Sequence, residues 1–291
     1  MIKLPGSLRI AVVFAAVLVL EFGAANNAVA ADDVIEFGKE TLKFNLGYYQ
    51  PTFRSRVAVG LPESAPPSIS GEEDLGLNNN LGGYRLDGYW RFADRHRLYF
   101  GYYQLDRSST KVLDKNIGPI EIPQLGVSDT ILAGSNISAE AKWQVYILGY
   151  GYSFYKSETL EFAGKFGLNV VQMGTQLSGT LITQNHGTQT AATAGSVLTV
   201  PMPAFGFTGD WAPAERWRVR GSAGAFQIQF ANVHADVVDA GLAGEFRLYR
   251  NIWLGTGYST LNATVSSNSS NSTAYLDWRT GGWQLYGSML F

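Results

Sequence analysis

The chain has 291 residues, with 22 Lys and Arg against 24 Asp and Glu, 33 Gly, 7 Trp, 15 Tyr, 16 Phe and no cysteine. A hydrophobic share of 46% excludes disorder for want of core material, and the missing cysteine excludes disulfide scaffolds and Cys-based zinc or redox sites. A net charge of −2 gives no basic stripe for nucleic acid, while 16% charged residues falls well short of the roughly 25% of ordinary soluble domains.

The first thirty residues read as a secretory signal. Lys3 and Arg9 form a positive start, Ile10 to Leu20 is an uncharged apolar run, and Ala28-Val29-Ala30 matches a small-x-small cleavage pattern. The apolar run is too short for a spanning helix, which takes about 20 residues. The expected organisation is therefore a signal peptide over 1–30, cleaved near Ala30, and one domain over 31–291. Removal leaves 20 basic and 23 acidic residues.

Downstream the dominant period is two. Leu86, Gly88, Trp90 and Phe92 alternate with Arg85, Asp87, Tyr89 and Arg91. Between residues 160 and 170, Leu160, Phe162, Phe166, Leu168 and Val170 alternate with Glu161, Lys165 and Asn169; a third segment sets Val238, Leu242, Phe246 and Leu248 against Asp239, Glu245 and Arg247. Successive strand side chains point to opposite faces, so each segment has one apolar face and one polar, charge-bearing face.

The spacing predicts strands near 41–60, 83–93, 96–111, 142–155, 159–178, 200–211, 216–230, 237–249, 252–265 and 275–291. Every second connection is a tight polar turn: Asp94-Arg95, Lys156-Ser157-Glu158, Pro213-Ala214-Glu215 and Arg250-Asn251. The others, roughly 61–82, 112–141, 179–199, 231–236 and 266–274, are mostly longer. Short turns on one side, longer loops on the other and an even strand count predict an all-β, up-and-down antiparallel transmembrane β-barrel of about ten strands in a bacterial outer membrane. Pro51 dividing the first strand, and a hairpin over 117–132, would raise the count to twelve; fusing weak segments would lower it to eight. Aromatics fall near strand ends, as membrane-interface girdles require: Tyr48, Tyr49, Trp90, Phe92, Tyr99, Tyr102, Tyr103, Trp143, Tyr152, Phe154, Tyr155, Trp211, Trp217, Tyr249 and Trp253.

The chain ends Trp283-Gln284-Leu285-Tyr286-Gly287-Ser288-Met289-Leu290-Phe291, with apolar or small residues at every second position before a terminal Phe. This resembles the C-terminal signature of Gram-negative outer-membrane β-barrel proteins, and the resemblance covers the whole chain. It implies outer-membrane lipid and lipopolysaccharide as surroundings, the barrel assembly machinery as a partner in biogenesis, and Phe291 as an assembly signal. Both ends of the barrel should then lie on the periplasmic side.

The strand register turns Arg85, Asp87, Arg91, Glu161, Lys165, Arg218, Arg220, Asp239, Glu245 and Arg247 inward. Such a set either lines a narrow, slightly cationic pore or pairs into a network that fills it; at ten strands the filled lumen is favoured. A rim hydrolase is the enzymatic alternative. Ten strands is the size of the omptin proteases, and the nearest candidates are His234-Ala235-Asp236 with Glu72, Glu73 and Asp74. Their order and spacing do not reproduce the omptin pattern. His96 beside a turn and His186 in a polar loop lack the motif of a Ser–His hydrolase, and three scattered histidines do not specify a metal site. No cofactor is expected. Ser266 to Ala274 and Thr188 to Ser196 read as polar surface loops, available to a surface ligand. The expected role is a non-enzymatic surface or structural barrel, with a small-solute channel as the alternative.

Overall fold

The computed structural model describes residues 34–60, 68–78, 82–122, 127–230, 232–268 and 273–291. The proposed signal peptide, 1–30, lies outside them. Among the described residues there is no helix, and thirteen strands follow in chain order. They are β1 (Leu42–Gly60), β2 (Ser68–Ser70), β3 (Gly83–Ala93), β4 (His96–Val112), β5 (Ile117–Ile122), β6 (Val127–Ile131) and β7 (Asn136–Lys156). Then come β8 (Leu160–Thr183), β9 (Gly187–Ala214), β10 (Trp217–Phe230), β11 (Val233–Tyr249), β12 (Ile252–Asn268) and β13 (Thr273–Leu290). Ten of them close an antiparallel barrel in the order β1-β3-β4-β7-β8-β9-β10-β11-β12-β13, with β13 returning to β1. The seal is reinforced by Phe291, whose N–H donates to the Leu42 carbonyl at 2.9 Å and whose carbonyl accepts from Thr41 N at 2.7 Å. β2 pairs with β1, and the β5–β6 hairpin touches the edge of β8, so neither enters the ring.

All ten predicted strands are present, and the four tight turns lie at one end. At one of them Arg250 takes a left-handed φ of 41°, the conformation a two-residue hairpin turn demands. The other end differs from expectation. The region 179–199 is the upper part of β8 and β9, 24 and 28 residues long, and 231–236 shrinks because β11 already begins at Val233. The region 112–141 contains the end of β4, the β5–β6 hairpin and the start of β7. Polar Thr-, Ser- and Ala-rich segments form strands here because ladder hydrogen bonds need no apolar face once the sheet stands in water. Pro51 does not divide β1. Thr41 O accepts from Arg91 N while Leu42 O accepts from Phe291 N, so odd-numbered backbone groups of β1 face β3. The last β1–β3 pair is Tyr49–Gly83, and Pro51 beyond it lacks only a donor with no partner strand to receive it.

The wall changes polarity along its height. Near the turns, large apolar side chains face outward and exposed, among them Leu148, Phe154, Phe166, Leu242, Leu254 and Leu285. Farther up, the inward face carries the apolar side chains, with Phe53, Leu105, Trp143, Val145, Val171 and Trp278 buried in one cluster. Their neighbours Arg54, Asp106, Lys142 and Arg279 point out. The lower wall is dressed for lipid and the upper wall for water. Ring pairs Tyr48–Tyr84, Tyr102–Tyr146 and Tyr258–Trp283 mark the outer girdle, and Trp90–Phe92, Phe154–Phe162 and Trp217–Phe246 the inner one. Five of the expected girdle residues lie elsewhere: Tyr49, Tyr99, Tyr103, Trp143 and Trp253 have inward parity and pack within the lumen.

Candidate functional site

The lower lumen holds a charge network. Lys43 Nζ lies 2.6 and 2.5 Å from the two carboxylate oxygens of Glu245, which also accepts from the Tyr286 hydroxyl at 2.8 Å. Arg91 forks onto Glu161 with two bonds of 2.9 Å. Ser153 and Arg97 converge on the same carboxylate. Arg97 and Arg220 share Asp210 at 2.9 and 2.8 Å. Each of the pairs Lys43–Glu245 (β1–β11), Arg91–Glu161 (β3–β8) and Arg97–Asp210 (β4–β9) joins strands with two others between them. Side chains so separated can meet only through the interior. Tyr89 is the hub: its ring lies 4.7 Å from Arg97 and 5.7 Å from Arg220, and its hydroxyl donates to Glu40 at 2.5 Å. Glu40 also meets Arg91 at 3.3 Å and Arg218 at 3.9 Å, so the segment before β1 joins the network.

The ten expected lumen residues divide into four groups. Arg91, Glu161, Arg218, Arg220 and Glu245 belong to the network. Arg85 and Asp87 pair at 2.9 Å and, with Asn45 and Tyr286, line an internal cavity of about 90 Å³. That is far below the roughly 300–1,000 Å³ of small-molecule pockets. Lys165 and Asp239 line an open groove in the wall, and Arg247 sits at the lower rim 3.7 Å from Glu215. The sequence reading missed Glu40, Lys43, Arg97, Arg107 and Asp210. All but Glu40 have inward parity in strands it had already drawn, so counting alternate positions would have found them.

Above the network lies a buried apolar cluster. Trp143 and Trp278 lie with ring centroids 4.5 Å apart, and Phe53 stacks on Trp278 at 6.4 Å. Over them folds the segment 71–78. Glu72 pairs with Arg107 at 2.5 Å and accepts from Ser55 N and Oγ at 2.8 and 2.9 Å, while Leu77 enters the apolar cluster. Burial would lift the Asp74 carboxyl, but the Lys115 ammonium and the Ser70 N–H outweigh it and hold that group below the usual carboxylate range.

The enzymatic candidates do not converge. His234 and Asp236 meet at 2.7 Å on the outward face of β11, either side of inward Ala235, whereas Glu72 points into the barrel. His96 faces the Tyr150 hydroxyl at 2.7 Å in the inner girdle. His186 bonds Asp129 at 2.8 Å, which ties the β5–β6 hairpin to the β8–β9 turn. Among the described residues no group of three or more His, Asp or Glu is placed to hold a metal.

No protein-family model matches the chain, and no curated protein matches it. Solved structures do. The outer membrane protease OmpT of Escherichia coli aligns over 90% of this chain and 100% of its own, with a TM-score of 0.54 at 9% identity. The translocator domain of the autotransporter NalP from Neisseria meningitidis aligns over 95% and 96%, at 9% identity and a lower TM-score of 0.43. The likeness to OmpT shows the fold, a ten-stranded barrel of the outer-membrane type; at that identity it carries no activity across.

Proposed function

We propose that this chain is a non-enzymatic surface barrel of the outer membrane, closed to solutes along its axis, that reinforces the envelope and presents its upper sheet to the exterior. The observation that carries the reading is the set of ion pairs spanning the lumen, above all Lys43–Glu245 and Arg91–Glu161. Buried charges satisfied by each other offer a permeating ion nothing, and opening a path would strand several of them in low dielectric. The upper sheet supports a surface role. β8 has 24 residues where a crossing takes about 9–11, so more than half of it stands outside the bilayer. Lipopolysaccharide and outer-leaflet lipid are the proposed surroundings.

The test compares cells lacking the chain with complemented cells for detergent sensitivity and surface attachment. Restoration by the His234→Ala variant as fully as by the native chain is the expected result. Failure of that variant to restore, while folded, would favour a hydrolytic site on β11.

A further inference from the structure

Among the described residues the barrel wall is unpaired in two places. Above Tyr49–Gly83 the neighbour of β1 is lost, and there β2 and the inward segment 71–78 fill the gap. The second place lies between β9 and β10. Their pairing runs from Ala214–Trp217 only to Gly206–Gly224, although β9 stays paired to β8 as far as Gly187 and β10 to β11 as far as Phe230. Beyond Gly206 no pairing joins the two strands.

The sequence is built for this separation. Ala212 N donates to Thr159 O, so even-numbered backbone groups of β9 face β8 and odd-numbered ones face β10. Pro201 and Pro203 are odd. They remove two of the N–H donors that would have zipped β9 to β10 above the last pair.

At the foot of the seam lies an open groove of about 720 Å³. Its lining joins both faces of the wall: Phe166, Phe205, Phe207 and Val238 from the lipid side, Lys165 and Asp239 from the lumen. Gly206 and Gly224, the last pair of the ladder, bring the two backbones close together and put no side chain at the foot of the seam. A Cβ at Gly206 would overlap the Ala223 carbonyl oxygen. A ladder of rings crosses the opening. Phe166 meets Phe205 at 5.0 Å, and Phe205 stacks on lumen-facing Phe226 at 6.3 Å, which packs on the buried apolar cluster. The site stands at the upper margin of the apolar belt, for the next outward residues above Ala225 and Val238 are Gln227 and Asp236.

We infer that the β9–β10 seam is a lateral binding site for an uncharged apolar chain from the outer leaflet, admitted between Phe205 and Phe226. The site lies in the wall and not on the axis, so it goes beyond the axial closure proposed above and stands independently of it. The apolar chemistry could come from the acyl chain of a resident lipid or from a free hydrophobic molecule.

The test uses the full chain in nanodiscs with two photoreactive probes, a long-chain alcohol bearing a diazirine and a phospholipid bearing one in its acyl chain. Adducts are mapped by mass spectrometry. The informative position is Phe226, which a closed wall keeps from lipid. Two variants close the site in different ways: Pro201→Val with Pro203→Val restores the missing donors, and Ala225→Trp fills the mouth. Folding of each is checked by heat-dependent gel migration. Labelling of Phe226 that falls in either folded variant is expected, and the reactive probe identifies the source. Absence of labelling from both probes, or labelling undiminished in both variants, would overturn the inference.

Discussion

Lys43 on β1 and Glu245 on β11 make a two-oxygen ion pair at 2.5 and 2.6 Å, although β12 and β13 stand between their strands. Both side chains are almost wholly buried, at 1% and 2% exposure. Removing one partner leaves the other as an uncompensated buried charge, which typically costs about 3–5 kcal/mol. The Glu245→Ala variant should therefore unfold at markedly lower urea in detergent. Replacing both, as Lys43→Met with Glu245→Leu, should recover most of the loss. A double variant as unstable as the single one would mean that the network, not the pair, carries the energy.

The upper lumen behaves as a soluble core. Trp143→Ala should cost about 3–5 kcal/mol, as large-to-small changes at buried aromatics do. Its outward neighbour Lys142→Ala should stay within about 0.5 kcal/mol. Urea titrations of both variants check the contrast, and equal effects would refute the inward placement of Trp143.

Glu72 holds the inward segment through Arg107, whose side chain is 1% exposed. The Glu72→Ala variant should speed external protease cleavage within 71–78 on intact cells, with the barrel still folded. Cleavage at the native rate would show that Leu77 alone retains the segment.

The β5–β6 hairpin is fastened by Asp129, which faces His186 Nδ1 at 2.8 Å and accepts from Asn185 N at 3.1 Å. The hydrogen bond with His186 holds the Asp129 carboxyl below its usual range. A lowered folded value means that the fastening is complete above the free value of about 3.9 and is lost as pH falls through the lowered one. Hydrogen exchange of 127–131 should therefore be flat from pH 7 to about 5 once corrected for intrinsic rates, and accelerate below about pH 4. The Asp129→Asn variant should exchange fast throughout. Protection that is equal in both proteins would exclude this fastening.

How much of this was legible follows from one device, the alternation of side chains. In β3 it separates Leu86 and Trp90 from Arg85 and Arg91 at sight. β7 shows where reading in a single phase fails. Ile137, Ala139, Ala141, Trp143 and Val145 carry the apolar set on odd positions, whereas Tyr146, Leu148, Tyr150, Tyr152 and Phe154 carry it on even ones. The phase flips at Val145–Tyr146, where the wall passes from water into lipid. Reading only the lower phase put the whole lumen down as charged and missed its apolar upper half. The cross-lumen partners could not be read, since pairing across two strands depends on closure, tilt and side-chain length together. Pro201 and Pro203 were visible, but their meaning required knowing which edge of β9 each N–H would have faced.

Axial closure of the lumen is decided by single-channel recording of the purified chain in a planar lipid bilayer. A baseline without steps in molar salt at moderate voltage is the expected result. Reproducible open steps well above background from the native chain would contradict it.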